Sequence, residues 1–155
     1  MFSKILPIIL IGIIIYSISW MLPENKEVEV VDNSISVTIH KSQYCGCCGE
    51  WGSYMEKQGY DIETVNVEEM SEVKEEFNIP YELVSCHTSE IEGYVVEGHV
   101  PNEAIEKLLR EKPDILGIGM AGMPSGSPGM PGPKVDFLIY EINKDGQKGD
   151  LFLKI

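Results

Sequence analysis

The sequence predicts a mixed α/β (α+β) domain, residues 34–155, behind one N-terminal membrane-spanning helix. Three observations predict it. Segments with strand-type alternation and segments with helical spacing follow one another along the chain, the pattern of a sheet covered by helices. An uncharged apolar stretch fills residues 5–22. Near the C terminus, two apolar runs flank a turn signal at Asp145-Gly146, which marks an added β-hairpin.

The elements follow in order. Residues 5–22, ILPIILIGIIIYSISWML, would make a helix of roughly 27 Å, close to the hydrocarbon thickness of a bilayer. Pro7 falls in its first turn and Trp20 at its outer end, where an interface aromatic belongs. A cleaved signal competes with an uncleaved anchor for residues 1–22. The only small-residue cleavage pattern is SIS at 17–19, followed by Trp20, and the apolar run is long for a signal, so the anchor is expected. A membrane span is favoured over a buried core helix because the segment is apolar on every side. Lys4 precedes the span and an acidic tether, residues 23–33, follows it, which places the domain outside the cytoplasm. The chain is secreted if the segment is cleaved. An extracytoplasmic compartment permits disulfides.

SISVTIH (34–40) alternates and is β-branched, so it reads as a strand. Residues 47–59 read as a helix, with Trp51, Tyr54 and Met55 at helical spacing and Gly59 as its stop. YDIETVNV (60–67) is a second strand. Residues 71–77 form a short helix capped by Ser71 and broken by Pro80. VSCHTSE (84–90) reads as a loop, GYVVEG (93–98) as a strand, and 101–113 as a helix with Ala104, Ile105, Leu108 and Leu109 on one face. Residues 117–134 are Gly/Pro-rich and long for a connector, as functional loops often are. VDFLIYEI (135–142) and DLFLKI (150–155) form the hairpin. No internal repeat is present.

Net charge is −13, so the chain would repel phosphate, and nucleic acid is excluded as a partner. The acidic pairs Glu68-Glu69 and Glu75-Glu76 read as solvated faces. No phosphate-binding glycine loop, dinucleotide fingerprint or H-E-x-x-H motif is present.

Chemistry concentrates in YCGCCGEW (44–51), which holds three of the four cysteines. A strand ending in C-x-x-C at a helix start is the thioredoxin-type arrangement, and Cys45 and Cys48 have that spacing. Helix amides and the dipole stabilise a thiolate there, which is both a nucleophile and a metal ligand. Cys47 separates the two uses. A reversible dithiol needs two cysteines, whereas a thiophilic metal gains from a third. In the thioredoxin plan, the loop before the third core strand faces C-x-x-C. If GYVVEG is that strand, Cys86 and His87 face the cysteine loop.

Three readings remain open. The first is a metal site of Cys45, Cys47, Cys48 and Cys86 with His87. The second is a thiol–disulfide oxidoreductase with Cys45 as nucleophile and Cys48 as resolving thiol. The third is a domain held by two disulfides. Met120, Met123 and Met130 bring thioethers, which suit Cu(I) over zinc; the alternative reading of each is a flexible core filler. His99 is a further candidate ligand, or a hydrogen-bonded structural residue. His40 lies near the cysteine loop or simply ends a strand. Zinc is the weaker candidate, because the spacing is not that of a finger or ribbon.

YCGCCGEW, SCHTSEIEGYVVEGHVP and GMPSGSPGM together, in this order over roughly residues 35–155, resemble the CopG-type periplasmic copper proteins, a family long known only as a domain of unknown function. The resemblance implies a thioredoxin-like fold and a copper-linked extracytoplasmic role. It implies Cys45, Cys47, Cys48 and Cys86 as sulfur ligands, with His87 and the methionine loop close by. The expected function is to hold Cu(I) for buffering, resistance or hand-over to a copper-transfer partner. The chain departs from the family in its anchor-like N terminus and in PGPK after the methionine loop.

Overall fold

The computed structural model describes residues 34–155, so the expected anchor and acidic tether lie outside the described residues. Among the described residues no helix is long and apolar enough to cross a membrane. The described residues form a mixed α/β fold with three α-helices and a single seven-stranded sheet. The elements are β1 (Ser36–Ser42), α1 (Gly46–Lys57), β2 (Asp61–Val67), α2 (Met70–Glu76), a 3₁₀ turn (Tyr81–Leu83), β3 (His87–Ile91), β4 (Tyr94–Glu97), α3 (Asn102–Glu111), β5 (Gly117–Gly119), β6 (Leu138–Ile142) and β7 (Lys148–Lys154).

The strand order is β2-β1-β3-β4-β5-β6-β7. β1 runs parallel to β2, as a strand–helix–strand crossover requires, and antiparallel to β3. β4 is antiparallel to β3 and parallel to β5, and β6 and β7 form the expected hairpin. Gly146 takes the positive φ that its turn needs.

Period-2 alternation sorts the strands between two faces. Val37 and Ile39 of β1 pair with Ile91 and Ser89 of β3 and join Trp51, Met55, Ile105 and Leu108 in the core beneath α1 and α3. The Trp51 indole N–H donates to the Val100 carbonyl at 3.0 Å, and the Asn102 N–H donates to the Tyr54 hydroxyl at 3.0 Å, tying α1 to α3. On the other face lie Thr88 and Glu97, directly opposite each other across β3 and β4 and hydrogen-bonded to Lys74 of α2.

Four expectations need correction. Residues 87–90 are not loop but the first four residues of β3. Their polar side chains conceal a strand paired on both sides, and Thr88 and Ser89 are fully buried there. GYVVEG is therefore the fourth strand, not the third. Ser71 does not cap α2, which starts one residue earlier behind Glu69. Lastly, the Gly/Pro-rich segment opens with a strand, β5, whose glycines let it lie close: a Cβ at Gly117 would run into the Val95 backbone.

Candidate metal centre

Register decides where the sulfurs meet. Lys41 near the end of β1 pairs with His87 at the start of β3, so Cys86 lies beside the turn that leads from β1 into Cys45. Glu97 at the end of β4 pairs with Thr88, and the Gly98 N–H donates to the His87 carbonyl at 3.1 Å, which brings His99 to the same end of the sheet. The Met120 N–H donates to the Glu97 carbonyl at 3.0 Å, so the methionine loop leaves from there as well. Cys86 and His87 thus face the cysteine loop as expected, although Cys86 lies just before β3 and His87 opens it, so that β3 itself stands between Cys86 and GYVVEG.

Cys45 is the N-cap of α1, and Cys47 and Cys48 lie in its first turn, which carries no acidic residue. Cys45, Cys47 and Cys48 therefore sit at the positive end of a twelve-residue helix whose first turn holds no competing negative charge. Cys45 and Cys48 are joined as a disulfide, whereas Cys47 and Cys86 are free. Two disulfides were one sequence reading, and a single disulfide is present among the described residues. The Cys47 sulfur lies 3.6 Å from that of Cys45, and the Cys86 sulfur 3.4 Å from that of Cys48. All four Sγ atoms fall within 4.8 Å of one another.

A second set shares Cys86. Its sulfur, His87 and His99 each offer a ligand atom, again within 4.8 Å of one another. His99 Nδ1–H donates to the Pro128 carbonyl at 2.7 Å, so Nε2 carries the lone pair, 3.0 Å from the Cys86 sulfur. His87 presents Nδ1 at 3.5 Å from the same sulfur, while its Nε2 is buried with no hydrogen-bond partner. Its ring packs on Trp51, with centroids 4.7 Å apart. Burial pushes the Cys86 thiol up to about 11, and the neighbouring Cys47 adds to the rise. Burial also holds His87 well below its ordinary value, and His99 below its own.

The methionines separate. The Met123 thioether lies 3.9 Å from the Cys47 sulfur. Met120 is buried in the apolar core cluster, and Met130 is half-buried in the loop. Gly129 carries that loop across the first turn of α1: a Cβ there would sit 2.7 Å from the Cys47 carbonyl oxygen and 2.8 Å from the Trp51 nitrogen. His40 is set apart on β1, bonded to Glu90 at 2.9 Å.

The sequence reading missed a buried network beside the site. Glu97 Oε1 accepts from Lys74 Nζ at 2.7 Å and from the Ser85 N–H at 2.6 Å, and Oε2 accepts from the Thr88 hydroxyl at 2.7 Å. Lys74 had read as one charge among surface acids. Its place three residues before a hydrophobic Phe77, on a seven-residue helix, gave no distinctive signal.

A family model described as a protein of unknown function, DUF411, matches residues 83–130, which include Cys86, both candidate histidines and the methionine loop. No curated protein matches the chain. A solved structure of copper resistance protein CopG, form 1, is 35% identical with a TM-score of 0.72, and covers 79% of this chain and 98% of its own. Form 2 is 37% identical with a TM-score of 0.71, over the same shares. At that identity across nearly the whole length of the solved protein, the chain belongs to the family of the copper resistance protein CopG.

Proposed function

We propose that this protein holds Cu(I) as cargo in its cysteine-rich site, outside the cytoplasm, and buffers it or hands it on to a transfer partner. The observation that carries the reading is the convergence of four cysteine sulfurs within 4.8 Å from two separate segments. Soft thiolates select Cu(I), and an adjacent thioether adds a ligand type that zinc does not favour. The donor set fits such an ion: His87 Nδ1 and the lone pair of His99 Nε2 lie 3.5 and 3.0 Å from the Cys86 sulfur, so two imidazole nitrogens and a thiol converge from one end of the sheet. The name of the solved relatives, copper resistance protein, supports the same metal.

The disulfide sets a condition. Cys45 and Cys48 become two thiols only on gaining two electrons and two protons, so the four-sulfur set belongs to the reduced protein. The topology supports a thioredoxin-like core, with a parallel β1-α1-β2 unit, an antiparallel β3-β4 pair and α3, onto which β5, β6 and β7 are added. Residues 5–22 would tether this domain to the membrane. Recovery of the full chain in membranes with its N terminus retained tests the tether, and a soluble chain starting near Trp20 overturns it.

The test of copper binding is titration of the reduced, anaerobic full-length protein against a Cu(I) chelator. Tight binding that disappears when Cys47 and Cys86 are replaced by serine supports the reading, and binding no tighter than that of the serine variant overturns it. The disulfide at a helix start favours one second reading, a thiol–disulfide oxidoreductase using Cys45 and Cys48. Catalytic reduction of insulin without tight copper binding would establish it instead.

A further inference from the structure

We propose that Glu97 is a positioning residue that presents the Cys86 sulfur: its enclosed carboxylate, held by Lys74 and Thr88, grips the Ser85 N–H one peptide bond before the ligand. The proposal rests on the metal-holding reading of the site. Glu97 is fully buried and Lys74 is 8% exposed. The carboxylate has three donors from three places, namely α2, β3 and the turn that carries Cys86. Lys74 Nζ also donates to the Thr88 hydroxyl at 2.8 Å, which closes the triangle.

A buried ion pair is weak support for stability, because an apolar pair of similar volume often serves as well. What distinguishes this one is the bond it makes outside the pair. The carboxylate spends its shortest hydrogen bond, 2.6 Å, on the Ser85 backbone. The other side of Cys86 is fixed as well, since the His87 carbonyl accepts from the Gly98 N–H. Cys86 is thus clamped on both sides by Glu97 and the residue that follows it. The backbone of Glu97 extends the clamp, because its carbonyl anchors Met120 at the root of the methionine loop. Gly98 has positive φ, and a Cβ there would lie 2.6 Å from the Ser85 hydroxyl, so β4 can press this close only with glycine at that point.

The test compares two charge-balanced double variants in the full-length protein. Lys74→Met with Glu97→Gln keeps an oxygen acceptor for the Ser85 N–H, and the new amide can donate to Thr88. Lys74→Met with Glu97→Leu removes the acceptor. Cu(I) affinity of the glutamine pair should stay within about threefold of the parent, and that of the leucine pair should fall by about tenfold or more. A readout without copper accompanies it, the alkylation rate of each free cysteine in reduced, metal-free protein. Cys86 should react about tenfold faster in the leucine pair, while Cys47 is unchanged. A folded leucine pair that matches the parent in both measurements overturns the proposal. So does an equal loss in the glutamine and leucine pairs, which would make the network a plain stability element. If the leucine pair does not fold, hydrogen exchange at the Ser85 amide of the parent decides: strong protection supports the grip, and exchange at the rate of an unstructured peptide overturns it. Failure of the parent to bind Cu(I) would sink the metal reading, while the alkylation and exchange results would still judge the clamp.

Discussion

Nε2 of His99 stands 3.0 Å from the Cys86 sulfur, aimed there by the hydrogen bond that its other ring nitrogen donates to Pro128. The tautomer is thus set by the Gly/Pro-rich loop, and Cys86 is the one atom common to the sulfur set and the histidine set. Outer partners of this kind orient ligands in metal sites generally.

Copper binding should release a proton from Cys86. Its thiol, pushed up to about 11 by burial, is protonated at neutral pH. An ion that takes the sulfur displaces that proton, so apparent affinity rises with pH by about tenfold per unit for each proton released. Chelator competition across the neutral range measures the slope. Cys86→Ser should weaken binding nearly as much as Cys47→Ser and lower the slope by one proton. A Cys86→Ser protein that binds like the parent would show that the second segment contributes no ligand.

Metal-free protein should lose stability on mild acidification through His87. The unfolded chain takes up the imidazole proton near the ordinary value of 6.5, whereas burial prevents uptake in the fold. Below about 6.5 the unfolded state binds more protons, so stability falls there by up to about 1.4 kcal/mol per pH unit, and above it this contribution is flat. His99, also lowered, adds a smaller slope of the same sign. Glu97 is raised by burial, so the fold takes up that proton before the unfolded chain does, and this opposes the loss above the ordinary value of 4.5. Urea midpoints at successive pH values should fall less steeply in His87→Leu than in the parent. Parallel curves would contradict the assignment.

Gly129 should be intolerant where Gly122 is not. Both have positive φ, but a Cβ at Gly129 meets the backbone of Cys47 and Trp51, while one at Gly122 meets nothing within 4 Å. Gly129→Ala should cost about 1–3 kcal/mol and weaken Cu(I) binding, because the loop would lift from α1 and draw Pro128 away from His99. Gly122→Ala should carry only the smaller cost of its φ. Equal losses by thermal melting would show that the loop does not depend on this contact.

What was legible in the sequence follows from its periodicities. β1, α1 and α3 repeat apolar residues at intervals of two or 3.6, and the cysteine spacing and SCHT carried the sulfur cluster directly. β3 was illegible because its buried positions include His87, Thr88 and Ser89, polar residues that break the apolar alternation of a buried strand; of these, Thr88 is held by Lys74 and Glu97 from other elements. β5 is two glycines around Ile118, so its pairing depends on space rather than on side-chain pattern. The Lys74–Glu97 pair lies 23 residues apart in sequence, and nothing local marks either charge as buried. Glu68, Glu69, Glu75 and Glu76, read from the same kind of signal, are indeed exposed.

Cys47→Pro separates metal from redox chemistry. Cys47 occupies the second residue of α1, where its N–H has no partner within the helix and proline is tolerated. Gly46 before it has nothing within 4 Å of its Cβ position and the backbone freedom that a residue preceding proline needs. The helix should therefore survive, as far-ultraviolet circular dichroism would show. The substitution removes the free sulfur that lies 3.6 Å from Cys45 and 3.9 Å from the Met123 thioether. It leaves C-G-P-C at positions 45–48 with the Cys45–Cys48 disulfide intact. Under the metal reading, Cu(I) affinity should fall by about tenfold or more, while disulfide exchange persists or rises. Under the oxidoreductase reading, parent and variant should reduce insulin comparably and neither should bind Cu(I) tightly. Both assays run on both proteins give four numbers. Strong parent reductase activity beside weak copper binding would transfer the function from the four-sulfur cluster to the dithiol pair.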